Sequence, residues 1–216
     1  MKNEGVPIVK EGLPFIWAAL LVALACLLGK AWSGAIVSLT AAGFFAYFFR
    51  NPERVPPLGS QLVASPADGR VIAIGPVEEP EFLKTQMMRV SIFLSLWDVH
   101  VNRSPLDGTV KNTRHRAGRF MAAFEERASE ENERNSLLIE STQGVSIVVV
   151  QVAGLIARRI VCYPTIGTFI MKGQRFGLIR FGSRTDLYLP LSAQIKVKIG
   201  DRVLGGESIV AELQES

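Results

Sequence analysis

Ser65-Pro66-Ala67-Asp68-Gly69-Arg70-Val71 recurs further along the chain as Ser104-Pro105-Leu106-Asp107-Gly108-Thr109-Val110. Each copy starts with a proline turn, places a positive-φ position at Asp-Gly, and runs into a β-branched residue, the pattern of a turn closing into a strand. Lys198-Ile199-Gly200-Asp201-Arg202-Val203-Leu204-Gly205-Gly206-Glu207 has the same turn-and-strand character. Between and after these turns lie runs rich in β-branched residues: 89–96 (RVSIFLSL), 145–153 (VSIVVVQVA), 159–163 (RIVCY) and the alternating 195–199 (IKVKI). The spacing predicts a mainly β (α+β) domain, a small turn-rich sandwich or barrel. It carries one short helix at about 117–132, with Phe120, Ala123 and Phe124 on one face. The charged run 130–135 reads as the solvated end of that helix.

The N-terminal quarter has a different texture. Leu13–Leu28 (LPFIWAALLVALACLL) and residues 33–49 (SGAIVSLTAAGFFAYFF) carry no charge, and only four residues separate them. Each run is near the short limit of about 17 to 25 residues for a membrane-crossing helix, so a tight spanning hairpin and an interfacial pair both fit. Trp17, Trp32 and Tyr47 suit headgroup depth. Lys2 and Lys10 before the pair, with Arg50 and Arg54 after it, favour both ends on the cytoplasmic side. A cleaved signal peptide is disfavoured, because Glu4 and Glu11 dilute the basic flank and a second apolar run follows at once. Asn51-Pro52-Glu53-Arg54-Val55-Pro56-Pro57 is a stiff connector in which helices end. The expected organisation is therefore an anchoring helical hairpin at 1–50 and a β domain at 51–216.

Composition narrows the classes. The 216 residues are 48% hydrophobic and carry a net charge of +4, with mean hydropathy +0.25. That is too apolar for a disordered or highly acidic protein, and the length excludes a large multidomain machine. Cys26 and Cys162 stand far apart with no CxxC or His-rich company, which supports neither a zinc site nor a disulfide scaffold, and no metal is expected.

Histidine is scarce. His100 follows an apolar strand and precedes a turn, a common place for presenting functional side chains, although a lone His there is more often structural. His115 sits among Arg114, Arg116 and Arg119, either a solvated basic stretch or a phosphate-binding cluster, since guanidinium forks match phosphate oxygens. The segment 172–190 (KGQRFGLIRFGSRTDLYLP) places Gly182-Ser183 between Phe181 and Arg184. A Gly-Ser pair in a constrained turn is what an N-to-O acyl shift requires, because the residue without a Cβ lets the backbone strain until the hydroxyl meets the preceding carbonyl. Taken alone, Gly-Ser is only a turn.

It is not alone. Arg50-Asn51-Pro52-Glu53-Arg54, Ser65-Pro66-Ala67-Asp68-Gly69, Trp97-Asp98-Val99-His100-Val101-Asn102-Arg103, Glu131-Asn132-Glu133-Arg134-Asn135 and Gly177-Leu178-Ile179-Arg180-Phe181-Gly182-Ser183 follow one another behind an apolar anchor. In that order they resemble the phosphatidylserine decarboxylase family, in its short membrane-associated form. The resemblance implies a proenzyme that cuts itself between Gly182 and Ser183 and leaves a β chain of 1–182 and an α chain of 183–216. Ser183 would become a covalent pyruvoyl group that forms a Schiff base with the serine headgroup and releases CO2. It also implies an Asp-His-Ser arrangement mapped onto Asp68, His100 and Ser183. Longer family members carry Leu-Gly-Ser-Thr at the cut and a second His; here the cut reads Phe-Gly-Ser-Arg and the second His position is Arg103. Arg103, Arg114, His115, Arg119 and Arg184 are the expected contacts to the phospholipid headgroup or anionic surface. The implied partners are the membrane, the phospholipid and the two chains of the processed heterodimer, with higher assembly open, and no nucleic acid. The implied location is the cell membrane, the catalytic domain facing the cytoplasm. An archaeal ether lipid, archaetidylserine, would present the same headgroup.

Three other readings compete, the weakest being a nucleic-acid-binding module, since no recognised motif accompanies the basic residues. The 198–207 hairpin resembles that of lipoyl and biotinyl carrier domains, with Met171-Lys172-Gly173 as a fragment of their modified-lysine loop, but the loop lacks its second Met. A membrane-anchored, non-enzymatic adaptor with a lipoyl-like domain would need a long helical hairpin, and the helical stretch is too short for one.

Overall fold

A computed structural model describes residues 4–119, 121, 131–154, 159–180 and 183–214. The chain divides into two compact units, Met1–Glu53 and Arg54–Ser216. In the first, helix α1 (Leu13–Leu28) and helix α2 (Trp32–Phe48) form the hairpin that the two uncharged runs imply. Lys30 takes positive φ in the turn between them. Lys10–Leu28 is long and apolar enough to cross a membrane (19 residues, mean hydropathy 2.1), while Trp32–Phe48 is shorter. Buried Asn51 fastens the N-terminal segment to the exit of α2: its Nδ2 donates to the Val6 carbonyl (2.8 Å) and its backbone N–H to that of Pro7 (2.7 Å).

In the second unit the named elements among the described residues are all strands. In chain order these are β1 (Leu62–Ala64), β2 (Gly69–Glu78), β3 (Gln86–Leu94), β4 (Val101–Arg103), β5 (Gly108–Arg116), β6 (Arg134–Ser141) and β7 (Ser146–Val152). They continue as β8 (Ile160–Cys162), β9 (Phe169–Ile170), β10 (Arg175–Ile179), β11 (Ser183–Leu189), β12 (Gln194–Ile195), β13 (Arg202–Val203) and β14 (Ile209–Glu212). An eight-stranded sheet runs β13-β2-β3-β11-β7-β6-β5-β9, and two three-stranded sheets run β1-β14-β12 and β4-β10-β8. One face of the large sheet, through Ile92, Leu137, Val149 and Leu187, packs into a single core with Val63, Phe176 and Val210 of the small sheets. The other face carries Met87, Val148, Val150, Val152 and Tyr188. Burial on both faces explains why β7 reads as a near-continuous apolar run instead of an alternation.

Two sequence expectations change, and a third falls mostly outside the described residues. Most of the helix expected at 117–132 lies outside the described residues. The run after it is no solvated end: Asn132 and Asn135 are buried, and Asn132 holds both backbone groups of Met121 and the Ala153 carbonyl (2.8–2.9 Å). The alternation at 195–199 yields only the two-residue β12, and the basic stretch around His115 is the end of strand β5.

The repeat is a pseudo-twofold device. Ser65 and Ser104 each donate from Oγ to the carbonyl two residues on (2.7 Å). Asp68 Oδ1 accepts the Gly205 N–H and Asp107 Oδ1 the Lys172 N–H, both at 2.7 Å. The Ser65 carbonyl accepts from Gly206 (2.7 Å) and that of Ser104 from Gly173 (2.8 Å). Those two loop glycines, at φ +80° and +76°, face each other, a Cβ on Gly206 lying 3.2 Å from the Gly173 Cα. The glycine after each aspartate lets the partner strand approach: a Cβ on Gly69 would lie 2.1 Å from the Phe93 carbonyl oxygen, and one on Gly108 2.5 Å from that of Glu140.

Gly108→Ala should therefore lower stability by at least about 2 kcal/mol through backbone displacement. Gly144→Ala, at φ +80° but in open space, should cost about 1 kcal/mol. Urea unfolding midpoints of the two variants check the order.

Candidate functional site

Two chain crossings place the site. Strand β3 ends at Leu94 and the chain passes through residues 95–100 into β4, while β10 ends at Ile179 and the chain passes through 180–182 into β11. Both crossings join the same two sheets, because Leu94 pairs with Ser183 in one and Val101 with Leu178 in the other. His100 and Ser183 thus sit on neighbouring crossings, and the His100 carbonyl accepts the Ile179 N–H (3.3 Å).

Ser183 is fully buried, and its Oγ has no hydrogen-bond partner among the described residues. A buried hydroxyl is normally satisfied; Ser91 Oγ on β3 is likewise unpartnered among the described residues, and what sets Ser183 apart is its place at the head of β11 on the crossing beside His100. Gly182 and Phe181 lie outside the described residues. His100 is buried, its Nδ1 2.9 Å from the Asp98 carbonyl oxygen. A carbonyl only accepts, so Nδ1 carries the proton and Nε2 is the basic atom. Asp98 is fixed in turn: its Oδ2 accepts from Ser95 N–H (2.8 Å) and Oγ (2.6 Å), and its Oδ1 from Arg202 (2.8 Å).

Asp68 enters from the other side of β3. It immediately precedes β2, whose Arg70 pairs with Phe93, and Phe93 pairs with Arg184 of β11. Besides Gly205, its carboxylate meets Arg54, Nη2 to Oδ2 at 2.9 Å, while Arg54 Nη1 reaches Glu207 (2.8 Å). Burial raises the Asp68 pKa above the ordinary carboxylate value, with Arg54, the Gly205 N–H and Arg103 opposing and Asp98 adding to the rise. Sequence reading missed Arg54 as a site residue, although it closes the Arg50 to Arg54 motif. It also missed Asp98, which stands inside the His100 motif.

The expected cations divide. Arg103 is buried beside the Asp68 turn; its N–H donates to the Pro66 carbonyl (2.9 Å) and its Nη1 to that of Gly173 (2.9 Å). Arg184 is buried and forms a bidentate pair with Asp186 (2.8 and 2.9 Å), one residue out of phase with Ser183 and so on the opposite face of β11. Arg114 and His115 lie on β5, three ladder spacings or about 14 Å from β11. Arg114 pairs with buried Glu81 (2.8 Å), His115 stands 3.7 Å from Glu133, and Arg119 pairs with Glu131 (3.2 Å). The segments that carry Asp68, His100, Arg103 and Ser183 are thus neighbours in the fold, whereas Arg114, His115 and Arg119 lie on or beyond β5. Among the described residues no cluster of three His, Cys, Asp or Glu could hold a metal. Lys172 turns its Nζ inward to the Pro57 (3.2 Å) and Gly59 carbonyls, unlike the exposed lysine of a carrier loop.

Fold and site together describe a β protein with a buried serine and a buried imidazole on neighbouring crossings between two sheets, and a buried carboxylate on a turn bonded to β4. The chain belongs to the phosphatidylserine decarboxylase family, whose model matches residues 41–211. It is 50% identical over 212 residues to the phosphatidylserine decarboxylase proenzyme of Geotalea daltonii, covering 97% of this chain and 98% of that one. It is also 47% identical over 215 residues to the proenzyme of Geotalea uraniireducens and 45% identical over 218 residues to that of Geobacter sulfurreducens, each covering 99% of this chain and all of the relative.

On the β8 edge of the site, burial pushes the Cys162 thiol up to about 11, with an Asn135 hydrogen bond opposing. In a Cys26→Ser background, alkylation of native Cys162 should rise about 100-fold between pH 8 and 10. The unfolded thiol, titrating near 9, should rise about 10-fold. Equal pH dependences in iodoacetamide rate measurements would contradict this burial.

Proposed function

We propose that this protein is a self-processing phosphatidylserine decarboxylase, cut between Gly182 and Ser183 into chains of residues 1–182 and 183–216. The observation that carries the reading is the buried, unpartnered Ser183 Oγ at the head of β11, on the crossing beside His100. The hydroxyl attacks the Gly182 carbonyl, converting the peptide bond to an ester. His100 Nε2 takes the hydroxyl proton and passes it to the Ser183 nitrogen as the C–N bond breaks; the neutral imidazole then takes the Ser183 α-proton, and the ester carboxylate departs with Oγ as the new C-terminus of residue 182. Loss of ammonia by hydrolysis leaves a pyruvoyl group on the smaller chain. Asp68, steadied by Arg54 and Gly205, supplies the negative charge that favours the imidazolium.

An orphaned buried hydroxyl fits a residue whose mature form has no hydroxyl: elimination carries Oγ away with residue 182 and leaves Cβ as a methyl, while the new carbonyl stands at Cα in place of the nitrogen. That group would supply an electrophilic carbonyl and electron sink for the serine headgroup amine, allowing the carboxylate to leave as CO2. Arg103, closest to the Asp68 and His100 turns among the expected cations, is assigned to hold the anionic headgroup as the carboxylate is lost. The hairpin of α1 and α2 anchors the catalytic unit at the cytoplasmic face of the cell membrane, which raises its encounter rate with a lipid-borne substrate.

Intact mass analysis of the detergent-solubilised protein should give two polypeptides divided after Gly182, the smaller with a pyruvoyl N-terminus, and Ser183→Ala should give one full-length chain. His100→Ala should slow the division at least about 100-fold, and lipid assays should find ethanolamine headgroup only from divided protein. A wild-type chain that stays whole overturns the reading.

A further inference from the structure

Asn102 is fully buried on β4, two residues after His100. Its Nδ2 donates to Thr185 Oγ1 (3.1 Å), two residues after Ser183, and approaches the Pro66 carbonyl (3.4 Å), two residues before Asp68. Its Oδ1 accepts from Gln151 Nε2 (2.9 Å), which also reaches the Val161 carbonyl (3.3 Å), and Gln151 Oε1 accepts from Asn135 (3.3 Å). The Pro66 carbonyl can only accept, so the amide is held one way round. The backbone makes room for this chain of amides: a Cβ on Gly177, the β10 residue paired with Asn102, would stand 3.0 Å from Gln151 Nε2.

One side chain therefore touches or carries all three segments that hold the groups assigned to self-cleavage. We propose that Asn102 is a positioning residue for that step, setting the strand of His100 against the strand of Ser183 and the turn of Asp68; the inference rests on the function proposed above. Each segment is also bonded through its backbone. The amide adds a lateral lock between β4 and β11, the two strands that must keep their spacing while the chain between β10 and β11 is cut. A misplacement of about 1 Å costs a positioned reaction about 100-fold.

The test follows conversion of the full chain into two in a cell-free translation time course with nanodiscs, by intact mass, over a pH series. Thr185→Val, nearly isosteric, and Asn102→Asp, which keeps the acceptor for Gln151 but loses the donor, should each slow conversion by about 10- to 100-fold. The apparent pKa of the Thr185→Val pH profile should not change, since no charge is altered, and Thr185→Ser, retaining the hydroxyl, should recover most of the rate. The double variant Asn102→Asp/Thr185→Val should be little slower than the slower single. Conversion of folded Thr185→Val at the wild-type rate would overturn the inference, as would Thr185→Ser as slow as Thr185→Val with an equal fall in Tm. A wild-type chain that never divides sinks the proposed function itself, which is a separate result.

Discussion

Strand β11 is hydrogen-bonded along both edges, from Ser183 to Leu189 against β3 and from Arg184 to Tyr188 against β7, and all of it is buried. Everything at the site takes its position from that insertion. The pairing with Leu94 puts Ser183 at the rim of the large sheet, and the twofold alternation of the strand sends Thr185 into the amide network and Arg184 to the other face. A strand held on one edge would leave the serine's position to a loop; here two ladders and a core layer fix it before any chemistry.

The pseudo-twofold repeat sets the second frame. Asp68 and Asp107 perform the same structural task with Oδ1, each accepting a backbone N–H from a glycine-rich loop. Their environments then diverge. Asp68 presents Oδ2 to Arg54 and feels Asp98 and Arg103, whereas the loop facing Asp107 contributes Lys172, whose ammonium is spent on carbonyls of the 57–59 connector. Under the proposed function, one half of a symmetric scaffold serves the chemistry while its mate keeps only the structural part. The pattern Ser-Pro-x-Asp-Gly therefore does not by itself mark an active residue.

Much of this was legible in the sequence. The helical hairpin emerged to within a residue or so because absence of charge over a long run has few other meanings. Strands β3, β7 and β8 were visible through β-branched density, and the Asp68, His100 and Ser183 motifs were visible through their order. What was not legible depended on long-range pairing. The start of β6 carries Asn135 and Ser136, whose partners come only from across the sheet, so it looked solvated, whereas the Arg and His at the end of β5 are as exposed as they looked. Arg184 looked like a free cation because Asp186, two residues on, reads as a partner only if both are known to face inward together. Asn102 and Gln151 gave no local sign, since a buried amide chain is built from residues far apart in the sequence.

The proposed cut gives the central placement of β11 a further meaning. The 34 residues from Ser183 onward contain β11 through β14, so the smaller chain supplies an inner strand of the large sheet and, through β14, the middle strand of a small one. Such a fragment cannot leave without dismantling both sheets, yet once they are dismantled no peptide bond leads it back. Before the cut, closing the sheet is an intramolecular event; after it, the same closure is a meeting of two molecules in dilute solution, one of them rich in strands suited to aggregation. The mature protein would hold its shape as an inheritance from a chain that no longer exists. Its working life would end at its first complete unfolding, and only new synthesis would replace it.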